Sequence, residues 1–259
     1  MRNMSHPNAA TTAAANILAT RRRAGEQGPR LPESCRPLDI ETALSIQAAV
    51  TVQLGDVVGA WKCALPTADN VVLAPIYAAT IHTAAPCPVW VRAGCVRVEP
   101  ELPFILDRDL PPRDAPYTPA DVDAAIAHTR LALELIDSRY VDPGAVSFAE
   151  NLADGLLNQG LFLGPEVDTE QARATEVMTI EIANADSRTT QLDGRHPGLA
   201  PRAPLYWLAE FLRSRGGGLR AGQAVITGSY AGSIALPIDE DVTVRYGDLG
   251  ALTVRFSPR

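Results

Sequence analysis

Apolar positions recur at helical spacing in two stretches near the start of the chain and at strand spacing over most of the remainder. Residues Ala13 to Ala24 carry Ile17 and Leu18 and end in Arg21, Arg22 and Arg23, cations that suit a helix C-terminus. A Pro-broken connector, "GPRLPESCRPLD", follows. In "DIETALSIQAAVTVQL", Ile40 and Leu44, Ile46 and Val50, and Val50 and Leu54 are each one helical turn apart. This predicts a second helix, with Asp39 as its cap and Glu41 in its first turn.

From Val57 the period shortens to that of strands. "VVGAWKCAL", "APCPVWVRAG" and "VRVEPELPFIL" read as β-segments punctuated by Pro and Gly. "YTPADVDAAIAHTR" predicts a helix, with Thr118 capping and Pro119 in the first turn. "LALELIDSRY" reads as a buried strand, whereas "SFAENLADGLLNQGLFLG" fits helix and strand equally. "EVMTIEIANAD" and "SRTTQLDG" form an expected hairpin, and "PLYWLAEFLRSRGGG" a helix stopped by glycines. The end of the chain reads as a strand, a Gly-rich loop and two alternating strands around "GDLG". The expected organisation is a disordered tail over 1–12, a helical region over 13–56 and a β-rich core over 57–259. Strands and helices do not alternate regularly, so the fold class is α+β rather than a doubly wound sheet.

Composition narrows the partners. The 259 residues are 46% hydrophobic, enough for a sizeable core, and 23 basic against 30 acidic residues give a net charge of −7. That balance argues against nucleic acid. No apolar run is long enough to span a bilayer, and the Ala-rich start has no hydrophobic core ahead of a cleavage site, so no membrane partner is expected. The four cysteines, Cys35, Cys63, Cys87 and Cys95, contain no C-x-x-C pair and read as reduced thiols of a cytoplasmic protein.

The candidate chemistry starts in "RVEPELPFIL". Glu99 and Glu101 are two residues apart, so a strand points both carboxylates the same way. Such a pair is either a solvated face of an edge strand or half of a cation site, since adjacent like charges need a proton or a cation. Pro100 between them places the strand at an edge or an irregularity. Glu134 in "LALELIDS" is a carboxylate in a buried strand, which requires an arginine such as Arg139 or a metal. Three carboxylates would make an all-oxygen site for Mg²⁺, Mn²⁺ or Ca²⁺, with positions open to substrate. Lys62 in an apolar strand is either a snorkelling, ion-paired lysine or an acid–base group. The loop "TGSYAG", Thr227 to Gly232, offers N–H groups to a carboxylate or is a tight bend. The histidines add little: His6 lies in the tail, His82 has no second ligand at metal spacing, His128 falls on the predicted helix and His196 in an "HPG" turn.

Taken in order, "AWKCAL", "RVEPELPFIL-DRDLP", "LALELIDSRY", "FAENLADG", "AVITGSYAG" and "VTVRYGDLGALTVRF" resemble the fumarylacetoacetate hydrolase superfamily. Within it they resemble the 2-keto-4-pentenoate hydratase and 4-oxalocrotonate decarboxylase branch, as does the "IQ" helix near the start. The resemblance implies a mixed β-roll core with an N-terminal helical region, assembled as homo-oligomers, in some cases as complexes of homologous decarboxylase and hydratase. It implies Mg²⁺ or Mn²⁺ on Glu99, Glu101 and Glu134, and a 2-oxo acid substrate reacting through a metal-stabilised enolate in aromatic-compound catabolism. It assigns Lys62 to catalysis, and Gly228, Ser229 and Asp154 to substrate binding. The leading expectation is a hydratase; a decarboxylase, a C–C hydrolase or tautomerase, and a non-catalytic partner subunit are the alternatives. One departure bears on that choice. Related hydratases carry an acid after the lysine strand, where "NVVLAPIYAAT" has Val71, Val72 and Leu73, with Asp69 the nearest acid.

Overall fold

The computed structural model describes residues 8–184, 189–198 and 200–259. His6, most of the expected tail and the tip of the expected hairpin lie outside the described residues.

Two capped helices open the chain. α1 (Ala9–Ala24) begins four residues before the predicted start, because the Asn8 side chain accepts the Thr11 N–H at 2.8 Å and supplies a cap there. α2 (Ile40–Leu54) starts as predicted, with Asp39 accepting from Thr42 N at 2.7 Å. Both end on left-handed glycines, Gly25 and Gly55. The Gly25 position has no room for a side chain: a Cβ would meet the Trp90 ring at 2.3 Å. Leu18, Ile46 and Val50 pack with Tyr140 and Leu152 in a buried cluster, each aliphatic side chain contributing about 1.5–3 kcal/mol.

The core follows as β1 (Val58–Cys63), β2 (Leu73–Tyr77), β3 (Ile81–His82), β4 (Cys87–Val89), β5 (Cys95–Glu101), β6 (Phe104–Leu106), α3 (Pro119–Asp123) and β7 (Ile126–Ile136). It continues through α4 (Phe148–Ala153), β8 (Asn158–Val167), α5 (Thr169–Ala174), β9 (Val177–Ala183), β10 (Thr189–Arg195), α6 (Ala203–Ser214), β11 (Ala224–Ile226), β12 (Ile234–Pro237), β13 (Asp241–Tyr246) and β14 (Gly250–Pro258). One sheet has nine strands in the order β12-β5-β7-β6-β11-β1-β2, with β8 on the far edge of β7 and β3 on β8. The second runs β10-β9-β13-β14-β4. Parallel pairs (β1 with β11, β3 with β8, β14 with β4) sit among antiparallel ones, so both sheets are mixed and the fold is α+β.

Two sequence expectations change. The predicted helix from Thr118 to Arg130 stops at Asp123. Its start is sound, for Thr118 and Asp121 form a reciprocal capping box, but Ile126 onward already pairs with β6, and His128 therefore lies on β7. The ambiguous stretch after Ser147 is helix and then strand, α4 and β8, each with its own pattern.

Alternation along β5 and β7 positions the site. Val96, Val98, Leu133 and Leu135 face the core between the sheets, with Val244, Val254 and Phe256 of the second sheet. Their neighbours Glu99, Glu101, Ala132 and Glu134 face the other way. That side is walled by Ala60, Ile76, Ala132, Leu161 and Ile226, small and branched residues that leave the carboxylates in an apolar interior. No helix among the described residues is long and apolar enough to cross a membrane.

Candidate active site

Glu99 on β5 is the direct register partner of Glu134 on β7, and Glu101 stands two residues along the same face. One carboxylate oxygen from each lies within 4.8 Å of the others. Glu134 is fully buried and Glu101 nearly so. Pro100 does not disturb this pairing. Its carbonyl accepts Tyr230 N–H at 3.0 Å, so its nitrogen also faces away from β7, and β12 pairs with β5 only as far as Val98.

The expected arginine partner for Glu134 is absent; Lys62 takes that place. Lys62 Nζ donates to Glu134 Oε1 at 2.7 Å and to the Leu156 carbonyl at 3.1 Å. The Asn158 side chain donates to the same Oε1 at 2.9 Å, while Glu134 Oε2 is buried without a hydrogen-bond partner. Gly228 N–H donates to Glu101 Oε2 at 2.7 Å. Burial, then the Glu134 charge, pushes the Glu101 carboxyl well above its ordinary range, against the opposing pull of Gly228 N–H and Lys62. Burial and Glu134 raise Glu99 as well. For Lys62 burial is the largest influence and lowers its pKa, but Glu134, Glu99 and Glu101 together outweigh it and hold the ammonium charged.

Three carboxyl groups converge on one ammonium, so the set is balanced only by bound protons or by a further cation. The donors are hard oxygens, and an orphaned buried carboxylate oxygen needs a positive neighbour. These residues fit a divalent cation of the Mg²⁺, Mn²⁺ or Ca²⁺ type.

The turn that receives Lys62 is left-handed over three residues: Gly155 (φ 86°), Leu156 (φ 51°) and Leu157 (φ 66°). A leucine in this region costs about 1–2 kcal/mol, so the surroundings must impose it. They do so through Leu156 N–H to Asn151 O at 2.8 Å and Asp137 N–H to Leu157 O at 2.7 Å.

The structure therefore gathers Lys62, Glu99, Glu101, Glu134 and Gly228. Two other expected residues are engaged elsewhere. The buried Asp154 carboxylate is held by Arg139, Nε to Oδ1 at 2.7 Å. Ser229 Oγ donates to Gly232 O at 3.0 Å within its own loop. Asp69 is exposed, and the residue paired with Lys62 on β2 is Ala74. Sequence reasoning missed Asn158, whose only signal is a polar residue opening an apolar strand. It also passed over His196, which is buried with Nε2 3.2 Å from Thr227 Oγ1 and Nδ1 accepting Gly198 N–H at 3.1 Å. Burial lowers its pKa to about 4.

No family model matches the chain. Among curated proteins, it is 28% identical over 167 residues to a 2-keto-4-pentenoate hydratase of Paraburkholderia phymatum, a match covering 62% of this chain and 60% of that one. A 4-oxalocrotonate decarboxylase of a Pseudomonas species is 28% identical over 162 residues, covering 61% and 59%. A 2-oxo-hept-4-ene-1,7-dioate hydratase of Escherichia coli is 29% identical over 168 residues, covering 62% and 61%. The chain thus spans about three-fifths of the length of the curated relatives it matches. Among solved structures, 4-oxalocrotonate decarboxylase from Pseudomonas putida G7, complexed with magnesium and adipate, superposes with a TM-score of 0.77 at 16% identity, covering 98% of this chain and 100% of that one. A protein described as of the fumarylacetoacetate hydrolase family from Yersinia pestis gives a TM-score of 0.53 at 15% identity, covering 76% and 92%. The chain is thus similar in sequence to enzymes named as hydratases and a decarboxylase of small oxo acids, and it shares its fold with the Pseudomonas putida decarboxylase and the Yersinia pestis protein.

Proposed function

We propose that the protein is a divalent-metal-dependent lyase acting on a 2-oxo acid, with hydration of a 2-hydroxydienoic acid such as 2-hydroxypenta-2,4-dienoate as its leading reaction. The observation that carries this reading is the convergence of Glu99, Glu101 and Glu134 beside Lys62 in an apolar interior. The Mg²⁺- and Ca²⁺-bound 4-oxalocrotonate decarboxylase structures share its fold, and the curated relatives act on small oxo acids by name. A divalent cation on the three carboxylates would act as a Lewis acid toward the substrate's carboxylate and 2-oxo oxygens.

The remaining roles fall to the chain's own groups. Lys62 presents a protonated Nζ, fixed by Glu134 and the Leu156 carbonyl, to neutralise charge developing on the substrate's 2-oxo oxygen or to deliver a proton to its carbon chain. Asn158 fixes Glu134 from its other side and so holds the carboxylate still. Gly228 N–H does the same for Glu101. The wall of Ala60, Ile76, Leu161 and Ile226 excludes water and strengthens each of these interactions.

A decarboxylase is the second reading, and a specific observation favours it. The neighbour of Lys62 on β2 is Ala74, so no carboxyl stands there to handle the proton of an added water. Decarboxylation needs charge stabilisation and one proton, both of which Lys62 can supply. Turnover of 2-hydroxypenta-2,4-dienoate and of 4-oxalocrotonate, with and without Mg²⁺, separates the two. Water addition supports the first reading and CO₂ release the second. Inactivity on these and on every other 2-oxo acid tried, by protein that binds Mg²⁺, favours a non-catalytic partner subunit.

A further inference from the structure

A cavity of about 450 Å³ opens where the C-terminal ends of α1 and α2 meet the end of β2 and the segment around Trp90. None of Glu99, Glu101, Glu134 or Lys62 lines it. Its volume lies within the usual range for small-molecule sites.

Its charge is opposite to that of the acidic cluster. Arg22, Arg23, Arg139 and Arg259 line it, against Asp56 and Asp137. Arg139 is paired with Asp154, and Asp137 is held at two points by Arg92. Asp56 accepts the backbone N–H groups of Val57 and Ala79. Arg22, Arg23 and Arg259 form no ion pair among the described residues. The Arg22 guanidinium donates only to main-chain carbonyls, those of Asn158 at 2.9 Å and Asp154 at 2.7 Å, and lies over the Tyr77 ring at 5.5 Å. Burial and the neighbouring Arg139 lower its pKa to about 10, so it is a cation short of compensating charge. In a chain of net charge −7, this is a local excess of positive charge inside a concave surface. Tyr77 and Trp90 add aromatic surface to the lining, and Arg259 lies over the Trp90 ring at 5.6 Å.

We propose that this cavity is a binding site, separate from the acidic cluster, for a small aromatic or conjugated carboxylate. Arginine matches a carboxylate with paired N–H donors, and the rings accept a flat apolar body. The site adjoins the candidate active site through the Gly155–Leu157 turn, which Arg22, Asp137 and Arg139 of the cavity lining all brace. Arg22 holds the carbonyls on both sides of the left-handed Gly155–Leu157 turn, and that turn carries the Leu156 carbonyl bound by Lys62.

The test uses the full chain without metal, so that no cation at the acidic cluster can hold the anion there. Benzoate, its neutral analogue benzamide and inorganic phosphate are titrated separately by calorimetry. Benzoate is expected to bind one to one and more tightly than phosphate, with no saturable binding of benzamide. Arg22→Gln is expected to weaken benzoate by at least ~10-fold, the loss of one charge-assisted contact. Ala79→Phe, which adds bulk to the cavity lining and leaves Arg22 in the sequence, is expected to abolish binding and keeps the test decisive if Arg22→Gln fails to fold. Equal binding of benzoate and benzamide, tighter binding of phosphate than of benzoate, or benzoate binding that survives Ala79→Phe each overturns the proposal.

Discussion

Glu99 and Glu134 face one another as direct cross-strand partners on β5 and β7. Like charges in that position destabilise a sheet, and here a third carboxylate, Glu101, joins them within 4.8 Å. A metal-free fold thus carries a cost that a cation removes. Glu101→Gln keeps shape and an acceptor for the Gly228 N–H while removing the carboxylate that a cation would bind. It is expected to lower Mn²⁺ affinity by at least ~100-fold in calorimetry and to raise metal-free stability by about 1 kcal/mol in urea unfolding. Unchanged Mn²⁺ affinity would remove Glu101 from the site.

Metal binding should release protons. Glu101 and Glu99 have raised pKa values in the metal-free fold, and a cation binds their ionised forms. Affinity for Mg²⁺ should therefore rise with pH, by up to about tenfold per pH unit while one proton is displaced. The sign for stability follows. A carboxyl raised above its unfolded value stabilises the native state at low pH, and that contribution is lost as pH rises through the folded value. The rise in melting temperature on adding Mg²⁺ should accordingly be larger at pH 8 than at pH 5.5. Isothermal titration in two buffers of different ionisation enthalpy measures the protons directly; identical apparent enthalpies would contradict the prediction.

Lys62 has two separable roles. It is the ion-pair partner of a fully buried glutamate, so Lys62→Ala leaves Glu134 uncompensated and is expected to cost about 3 kcal/mol in the metal-free protein. A bound cation supplies the missing charge, so Mg²⁺ should restore much of that loss. Catalysis should not recover: kcat should fall by at least ~100-fold while Mg²⁺ affinity changes much less. A Lys62→Ala protein with normal kcat would exclude Lys62 from the chemistry.

Much of this arrangement is legible in the chain itself. The i,i+2 spacing of Glu99 and Glu101 and the apolar setting of Glu134 mark the cluster, because strand alternation converts sequence distance into direction. Asp39 and Thr118 announce their helices through local hydrogen bonds that need no tertiary context. What eludes local reading depends on pairing. The predicted helix at Thr118 gives way at Ile126 because β6 and β8 offer a ladder to the following residues. Asn158 and Gly228 join the site only because β8 and the loop after β11 are folded against β5 and β7. Asp154, which the resemblance assigns to substrate binding, pairs with Arg139 fifteen residues away, a contact that only the folded loop reveals.

His196 makes the last prediction, and it is one about acid stability. The ring is 1% exposed, its Nδ1 accepts Gly198 N–H at 3.1 Å, and Nε2 therefore carries the proton that Thr227 Oγ1 receives at 3.2 Å. Neither nitrogen can take up a second proton without breaking Nδ1's bond, and burial lowers the pKa to about 4. The unfolded chain, with an ordinary histidine near pH 6.5, binds the proton more readily than the native state between these values. Stability tied to His196 is complete above about pH 6.5 and is lost as pH falls toward 4, on the order of 2–3 kcal/mol in all. Thr227 adjoins Gly228, whose N–H holds Glu101, so loss of this packing should loosen the acidic cluster as well. His196→Gln retains an amide donor toward Thr227 but has nothing to titrate. Urea unfolding at pH 7 and pH 4.5 should show a smaller difference for the variant than for the parent protein. Equal differences in the two proteins would show that the acid sensitivity lies elsewhere.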